Sequence, residues 1–312
     1  MIRIDGPQGT LLFEKEEKGL MLAGFEGGGS LLTVPERVSD GGADYTVTGV
    51  DRKALLNSNL KEVSLPPTIE SIGDWAFSKA THLKRFVLRG PVEDLSKVTL
   101  GKGIFEGDTA LESVCLGYEE DDDLSYLLAA TVLRLPAAFL LRTGNLGTKE
   151  WFKSFDASLS SYIAESDFTG YSERILCGEE DISYDGIGSV DGELLGESAA
   201  YVREKRKDKS ALCLLRLMKD KDLAEETGEV FKDYIRKHAL GREDDSAWQA
   251  LKTFYGDSLE YVELYCNVVK PGKTEIGAML ADMGKQGIEI KSFLIGYRGE
   301  DDTGNIMDDL LL

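Results

Sequence analysis

Histidine is nearly absent from this chain and cysteine is sparse. Two histidines, His82 and His238, and four cysteines, Cys115, Cys177, Cys213 and Cys266, are spread over 312 residues. No cysteine pair has C-x-x-C spacing, and neither histidine stands near a cysteine or a carboxylate pair at ligand spacing, so the sequence offers no zinc site. Cysteines this far apart in a chain of this length read as reduced and buried side chains, not as a disulfide framework. The chain also lacks a G-x-S-x-G elbow, and the carboxylates that follow Cys177 disfavour a reactive thiolate. Gly27-Gly28-Gly29-Ser30 lacks the lysine of a phosphate-binding loop, and Gly186-Ile-Gly188-Ser-Val-Asp-Gly192 has the wrong glycine spacing for a dinucleotide fingerprint. Both read as turns. These absences predict a protein without catalytic residues or a cofactor.

Positive charge is also in short supply. With 36 basic and 56 acidic residues the formal charge is -20. Of this, -4 falls on residues 1–117, with 13 basic and 17 acidic side chains, and -16 on the remainder. Such a surface repels phosphate backbones and anionic membranes, which excludes nucleic acid as a partner. The basic cluster Arg203, Lys205, Arg206, Lys207 and Lys209 has no aromatic interleaving and reads as a solvated helix face. No basic stretch leads into an apolar segment at the N-terminus, so the expected location is cytoplasmic. The one long apolar stretch, Leu124 to Leu141, is interrupted by Arg134 and Pro136 and follows the acidic run Glu119 to Asp123. A bundle helix with Asp123 near its N-terminus fits it better than membrane insertion.

What the chain does contain is an internal repeat. Leu60-Lys-Glu-Val63-Ser-Leu65 recurs as Leu83-Lys-Arg-Phe86-Val-Leu88 and as Leu111-Glu-Ser-Val114-Cys-Leu116, with a shorter copy at Leu32-Thr-Val34-Pro35. A second motif precedes each full copy: Gly49-Val50-Asp-Arg-Lys-Ala54-Leu55, Ile72-Gly73-Asp-Trp75-Ala76-Phe77 and Gly101-Lys-Gly-Ile104-Phe105. Strand-to-strand steps of about 31, 23 and 28 residues lie in or near the range of a leucine-rich repeat. Alternation in a strand sends Val63 and Leu65 inward and Glu62 and Ser64 outward. A single copy cannot bury its apolar side, whereas stacked copies let Leu60, Leu83 and Leu111 form one spine and Val63, Phe86 and Val114 another. Ala76 and Phe77 would come from a short helical or turn segment opposite, the aromatic filling the wedge between coils. Residues 1–30 and the helix after Asp123 are the expected caps.

The run Val63-Ser-Leu65-Pro66-Pro67-Thr-Ile69-Glu-Ser-Ile72-Gly73-Asp-Trp75-Ala76-Phe77, followed by Leu83-Lys-Arg-Phe86-Val-Leu88, resembles the BspA-type leucine-rich repeat. The resemblance covers roughly residues 30–117. It implies a short right-handed β-solenoid with parallel strands, and membership of a group of mostly bacterial proteins, commonly at the cell surface, that bind macromolecules. The partner it implies is another protein.

Beyond Gly117 the apolar period becomes that of a helix. Thr148 can cap a helix in which Trp151, Phe152, Phe155, Leu159, Tyr162 and Ile163 share a face. Further sets are Leu223, Val230, Phe231, Tyr234 and Ile235; Trp248, Leu251 and Phe254; Leu259, Val262 and Cys266; then Ile276, Met279 and Leu280, and Ile290, Phe293, Leu294 and Tyr297. Spacings of about 28 to 31 residues between the last pairs resemble two-helix repeats such as ankyrin. An irregular helical bundle is the alternative.

The expected organisation is therefore multi-part: an N-cap and solenoid over 1–117, then an acidic all-α, repeat-like region over 118–312. The expected function is non-catalytic protein binding through the outward strand positions. Leu31, Glu62, Arg85 and Ser113 form one row; Thr33, Ser64, Val87 and Cys115 form the next. A cross-strand ion pair between Glu62 and Arg85 would give that pair a structural role instead. The alternative function is a hydrolase using carboxylates of the Cys177 to Glu193 loop, among them Glu179, Glu180, Asp181 and Asp185. Asp181-Ile-Ser183-Tyr-Asp185-Gly186 begins like a calcium loop, but its twelfth position is Gly192, with Glu193 one residue late.

Overall fold

The computed structural model describes residues 1–90, 98–117, 122–135, 137–142, 144–169, 197–239, 246–283 and 287–297; the Cys177 to Glu193 loop lies outside them. The chain divides into two compact units, Met1–Phe155 and Asp156–Leu312. The change from strands to helices comes earlier, after Gly117.

The first unit holds strands β1 (Ile2–Gly6), β2 (Gly9–Lys15), β3 (Leu20–Glu26), β4 (Leu31–Thr33), β5 (Arg37–Asp40), β6 (Ala43–Val50), β7 (Glu62–Leu65), β8 (Ser71–Ile72), β9 (Arg85–Leu88), β10 (Thr99–Leu100) and β11 (Ser113–Leu116). Four of them form an all-parallel sheet in the order β11-β9-β7-β4. The other sheet is mixed. Its β1-β2-β3 part is antiparallel, β3, β6, β8 and β10 run parallel, and β5 pairs with β6 as an antiparallel hairpin. The opposite side of the repeat is thus partly strand, where sequence reading expected only a turn or short helix. β8 and β10 are two residues long, too short to show a period.

Between those short strands and the parallel sheet run the turns that carry the second motif. Each full turn has two residues in left-handed conformation four positions apart: Lys53 and Asn57, Trp75 and Lys79, Gly103 and Gly107. Their amides join successive turns. Lys53, Leu55 and Asn57 donate to the carbonyls of Asp74, Ala76 and Ser78 at 3.0, 2.8 and 3.0 Å, and Trp75, Phe77 and Lys79 donate to Lys102, Ile104 and Glu106 at 2.9, 3.0 and 2.8 Å. A backbone ladder therefore replaces the side-chain or solvent partners that turn amides otherwise need. Inside it, Phe77 stacks on Phe105 with centroids 5.6 Å apart, and Phe86 meets both edge-on at 5.2 and 5.1 Å. Phe77, Phe86 and Phe105 are buried, so the three rings fill the wedge between repeats.

Two polar groups complete this unit. Arg89, just past β9, donates from Nε to the Leu65 carbonyl at 3.1 Å and from its Nη2 to the Val34 carbonyl. It thereby ties the ends of neighbouring repeats together. Asp108 is buried with Oδ1 accepting the Ala80 amide at 2.8 Å, while Oδ2 has no hydrogen-bond partner. Burial pushes its carboxyl up to about 7, against the opposing effect of that one amide.

Helix α1 (Asp122–Leu133) packs on β11, as expected of a cap. No described helix is long and apolar enough to cross a membrane. A 3-10 turn, Ala138–Arg142, follows, and α2 (Lys149–Ala164) begins where the Thr148 hydroxyl accepts the Trp151 amide at 3.4 Å. The face read from its period is buried at Trp151, Phe152, Phe155, Leu159 and Tyr162.

The second unit continues with α3 (Glu197–Met218), α4 (Glu225–Lys237), α5 (Ala247–Tyr255), α6 (Leu259–Val269), α7 (Lys273–Asp282) and α8 (Ile288–Gly296). Helix α3 packs against α4, α5 and α6, while α7 and α8 pack on each other and α8 on α6. The pairs α5–α6 and α7–α8 are also joined by Asp282. Its Oδ2 accepts from Trp248 Nε1 at 2.8 Å, Gln249 Nε2 at 2.9 Å and Lys252 Nζ at 2.6 Å. Burial raises that carboxyl, and these donors outweigh burial to hold it below the ordinary range. Phe231 and Ile235 are buried as the period predicts, but Val230 is 49% exposed.

The basic cluster on α3 is a solvated face only in part: Arg203 is exposed and Lys207 partly exposed, while the other three cations turn to partners within the protein. Lys205 and Lys209 are buried, and Asp167 accepts from Lys209 Nζ at 2.7 Å and Arg206 Nε at 2.7 Å. Lys209 also donates to the Glu165 carbonyl and Lys205 to that of Thr169. Burial would raise Asp167, but the hydrogen bonds from Arg206 and Lys209 bring it below its usual value. These cations serve to hold the end of α2. Further along α3, the buried Arg216 grips Asp156 through Nε at 2.5 Å and Nη2 at 3.1 Å and donates to the carbonyls of Lys219 and Lys221.

Candidate protein-interaction face

The rows read from alternation are rows in space. In the parallel sheet Leu31 is registered with Glu62, Glu62 with Arg85 and Arg85 with Ser113; Thr33 is registered with Ser64, Ser64 with Val87 and Val87 with Cys115. Between them lies the inward row Leu32, Val63, Phe86 and Val114, each no more than 3% exposed. β-Branched and aromatic residues on this row suit a pleated, one-side-buried strand. Outward side chains are left at the surface by the same alternation. Leu31 is 46% exposed, Thr33 is exposed, and Glu62, Ser64, Arg85, Val87 and Ser113 are partly exposed.

Cys115 departs from its row. It is buried, with Sγ 3.2 Å from Ser125 Oγ of α1, because the capping helix covers the last strand where alternation alone would leave it open. Seven of the eight read positions thus remain accessible. The face is mixed in chemistry: aliphatic side chains at Leu31 and Val87, hydroxyls at Thr33, Ser64 and Ser113, and opposite charges at Glu62 and Arg85. Beside it, Lys84 pairs with Glu112 at 2.8 Å, an exposed pair of little energetic weight. Such a surface can make hydrogen bonds and apolar contacts.

Among the described residues no cluster of histidine, cysteine and carboxylates could hold a metal ion. Cys213 and Cys266 are buried, like Cys115, and burial pushes the Cys266 thiol up to about 12, the opposite of what a nucleophile needs. An open pocket of about 120 Å³ lies beside β10, lined by Leu100, Ile104, Phe105, Glu106, Val132 and Leu141. Its wall is mixed, with the Gly101 and Gly103 backbone and Glu106 beside the apolar side chains. No repeat or alternation points to it, since Val132 and Leu141 come from the capping segment.

No family profile and no curated protein matches the chain. Solved structures similar to it are bacterial leucine-rich-repeat proteins. A leucine-rich cell-surface protein of Faecalibacterium prausnitzii is 19% identical over 36% of this chain and 30% of that protein, with a TM-score of 0.30. A leucine-rich-repeat protein of Bacteroides ovatus is 23% identical over 35% of this chain and 28% of that protein, with a TM-score of 0.30. The leucine-rich-repeat protein of T. pallidum is 23% identical over 34% of this chain and 47% of that protein, with a TM-score of 0.29. The chain therefore spans less than half the length of each of these three proteins.

Proposed function

We propose that the chain is a non-catalytic binding module whose repeat segment, a short right-handed solenoid of BspA type over residues 1–117, contacts another protein through the outward rows of its parallel sheet. The observation that carries this reading is the in-register alignment of Leu31, Glu62, Arg85 and Ser113 beside Thr33, Ser64 and Val87, partly exposed side chains over a fully buried row. A flat array of this kind presents a rigid surface, so little conformational entropy is lost when a partner binds. The formal charge of -20 favours a protein partner over nucleic acid. In this reading residues 118–312 are the helical region, and the stacking of α5–α6 on α7–α8 supports its repeat-like character.

A photo-crosslinking side chain placed at Ser64 tests the proposal in lysate of the source organism. The expected result is a discrete adduct from Ser64 that is absent when the same group is placed at the exposed Glu17 in the turn between β2 and β3. Equal labelling from both positions, or none from Ser64, overturns the assignment.

A further inference from the structure

A second surface of the first unit lies on its turns, and its chemistry differs from that of the sheet face. Trp75 sits at φ 53, a left-handed conformation that a bulky side chain rarely adopts. The corresponding position of the next repeat is Gly103, at φ 54, which takes the same conformation without penalty. The preceding repeat holds Lys53 there, at φ 60, so the fold accepts glycine or a flexible side chain at this place and holds a tryptophan in this repeat. A strained residue kept where an unstrained one fits points to a use for its side chain.

The surroundings of Trp75 indicate the use. Arg52 and Lys53 of the preceding turn lie over its ring, at 5.0 Å from the guanidinium carbon and 5.7 Å from the ammonium nitrogen. Its Nε1 donates to Glu106 Oε2 at 3.0 Å, which fixes the ring from the following turn. Lys79 and Lys102 are exposed on the same set of turns. None of these four cations forms an ion pair with a described residue. Three carboxylates lie among these cations and are held by the same turns: Asp51 accepts the Arg52 amide at 2.6 Å, Asp74 the Lys102 amide at 2.7 Å, and Glu106 the indole. Four exposed cations against these three carboxylates leave the turn surface net positive by one in a chain of charge -20, with Arg52 and Lys53 already laid against the tryptophan before any partner arrives.

We propose that the turn surface centred on Trp75, with Arg52, Lys53, Lys79 and Lys102, docks an acidic segment of a partner protein. Carboxylates of that segment meet the free faces of the cations, and Trp75 orders Arg52 and Lys53 for them. The negative charge of the chain opposes an acidic ligand as it opposes nucleic acid, and screening beyond about 8 Å at physiological ionic strength reduces that opposition at this surface without removing it.

The test uses the full chain and a fluorescein-labelled oligoglutamate peptide of about ten residues, with binding read by anisotropy at about 0.1 M salt. Saturable binding is expected. It should weaken at least about tenfold in the Arg52→Glu, Lys53→Glu variant. Trp151 and Trp248 are buried, so a change in tryptophan emission on titration with unlabelled peptide places the contact at Trp75. Trp75→Gly should lose binding while melting within a few degrees of the wild type. Absent binding, or binding unchanged by charge reversal, overturns the proposal. So does a fall in melting temperature of more than about 10 °C for Trp75→Gly, which would make the ring a structural clamp. Self-association of the wild type that the same reversal abolishes would assign the surface to the acidic half of a second copy, and overturn the assignment to a different partner.

Discussion

Trp75 and Gly103 hold the same backbone conformation one repeat apart, and only one of them is a residue for which that conformation is unstrained. The amide of Trp75 donates to Lys102 at 2.9 Å in the same ladder that joins the next turn positions. The left-handed sites are therefore set by the stacking of the turns, and each repeat fills them with a different residue.

The two positions should respond to substitution in opposite ways. At Gly103 a Cβ would lie 2.6 Å from Glu106 Oε2 and 2.9 Å from Trp75 Nε1, on a residue with positive φ. Gly103→Ala should cost about 1–2 kcal/mol, whereas Trp75→Gly should be nearly neutral because relief of strain offsets the lost ring contacts. Chemical denaturation of both variants measures the difference.

Removal of one ring from the aromatic wedge should be far more costly. Phe77 is fully buried between Phe86 and Phe105, so Phe77→Ala should destabilise the first unit by about 3–5 kcal/mol. Phe77→Leu should recover part of that loss, which thermal melts followed by circular dichroism will show.

Asp108 makes the stability of the first unit depend on pH. Its folded carboxyl, at about 7, lies above the ordinary value of 3.8. A raised acid contributes stability that is fully present below the unfolded pKa and is lost as pH rises through the folded one. Asp108→Asn keeps an oxygen for the Ala80 amide and cannot ionise. Relative to wild type, the variant should gain on the order of 2–4 kcal/mol between about pH 4 and pH 8 and change little above that. Denaturation curves of the two proteins at several pH values check both the sign and the window.

In the second unit the buried pair Arg216 and Asp156 should behave as a coupled site. Arg216→Met leaves Asp156 buried without its cation and should cost about 3–5 kcal/mol. Arg216→Met with Asp156→Leu should be milder than Arg216→Met alone. A double-mutant cycle measured by urea denaturation gives the coupling.

The parallel sheet was legible because two signals coincide there. Alternation fixes which residues point inward, and repetition fixes the register, so Leu31, Glu62, Arg85 and Ser113 could be aligned without coordinates. The strands at Ser71–Ile72 and Thr99–Leu100 were not legible, since two residues carry no period. Neither was the fate of Cys115, which follows alternation outward and is then covered by Ser125 of a helix ten residues on. On α3 the error had an electrostatic source. A run of Lys and Arg reads as solvated, but Lys209 finds Asp167 and the Glu165 carbonyl at the end of α2, partners more than forty residues away. The exposure of Trp75 was not legible because its left-handed backbone has no signature in the sequence.

The most direct measurement of the central claim compares what the wild type and a Ser64→Glu, Val87→Glu variant retain from lysate of the source organism, with both proteins shown to melt alike. Binding through the sheet face predicts a specific protein held by the wild type, lost from that variant and kept by a Glu17→Lys control. An identical catch from wild type and face variant would contradict it.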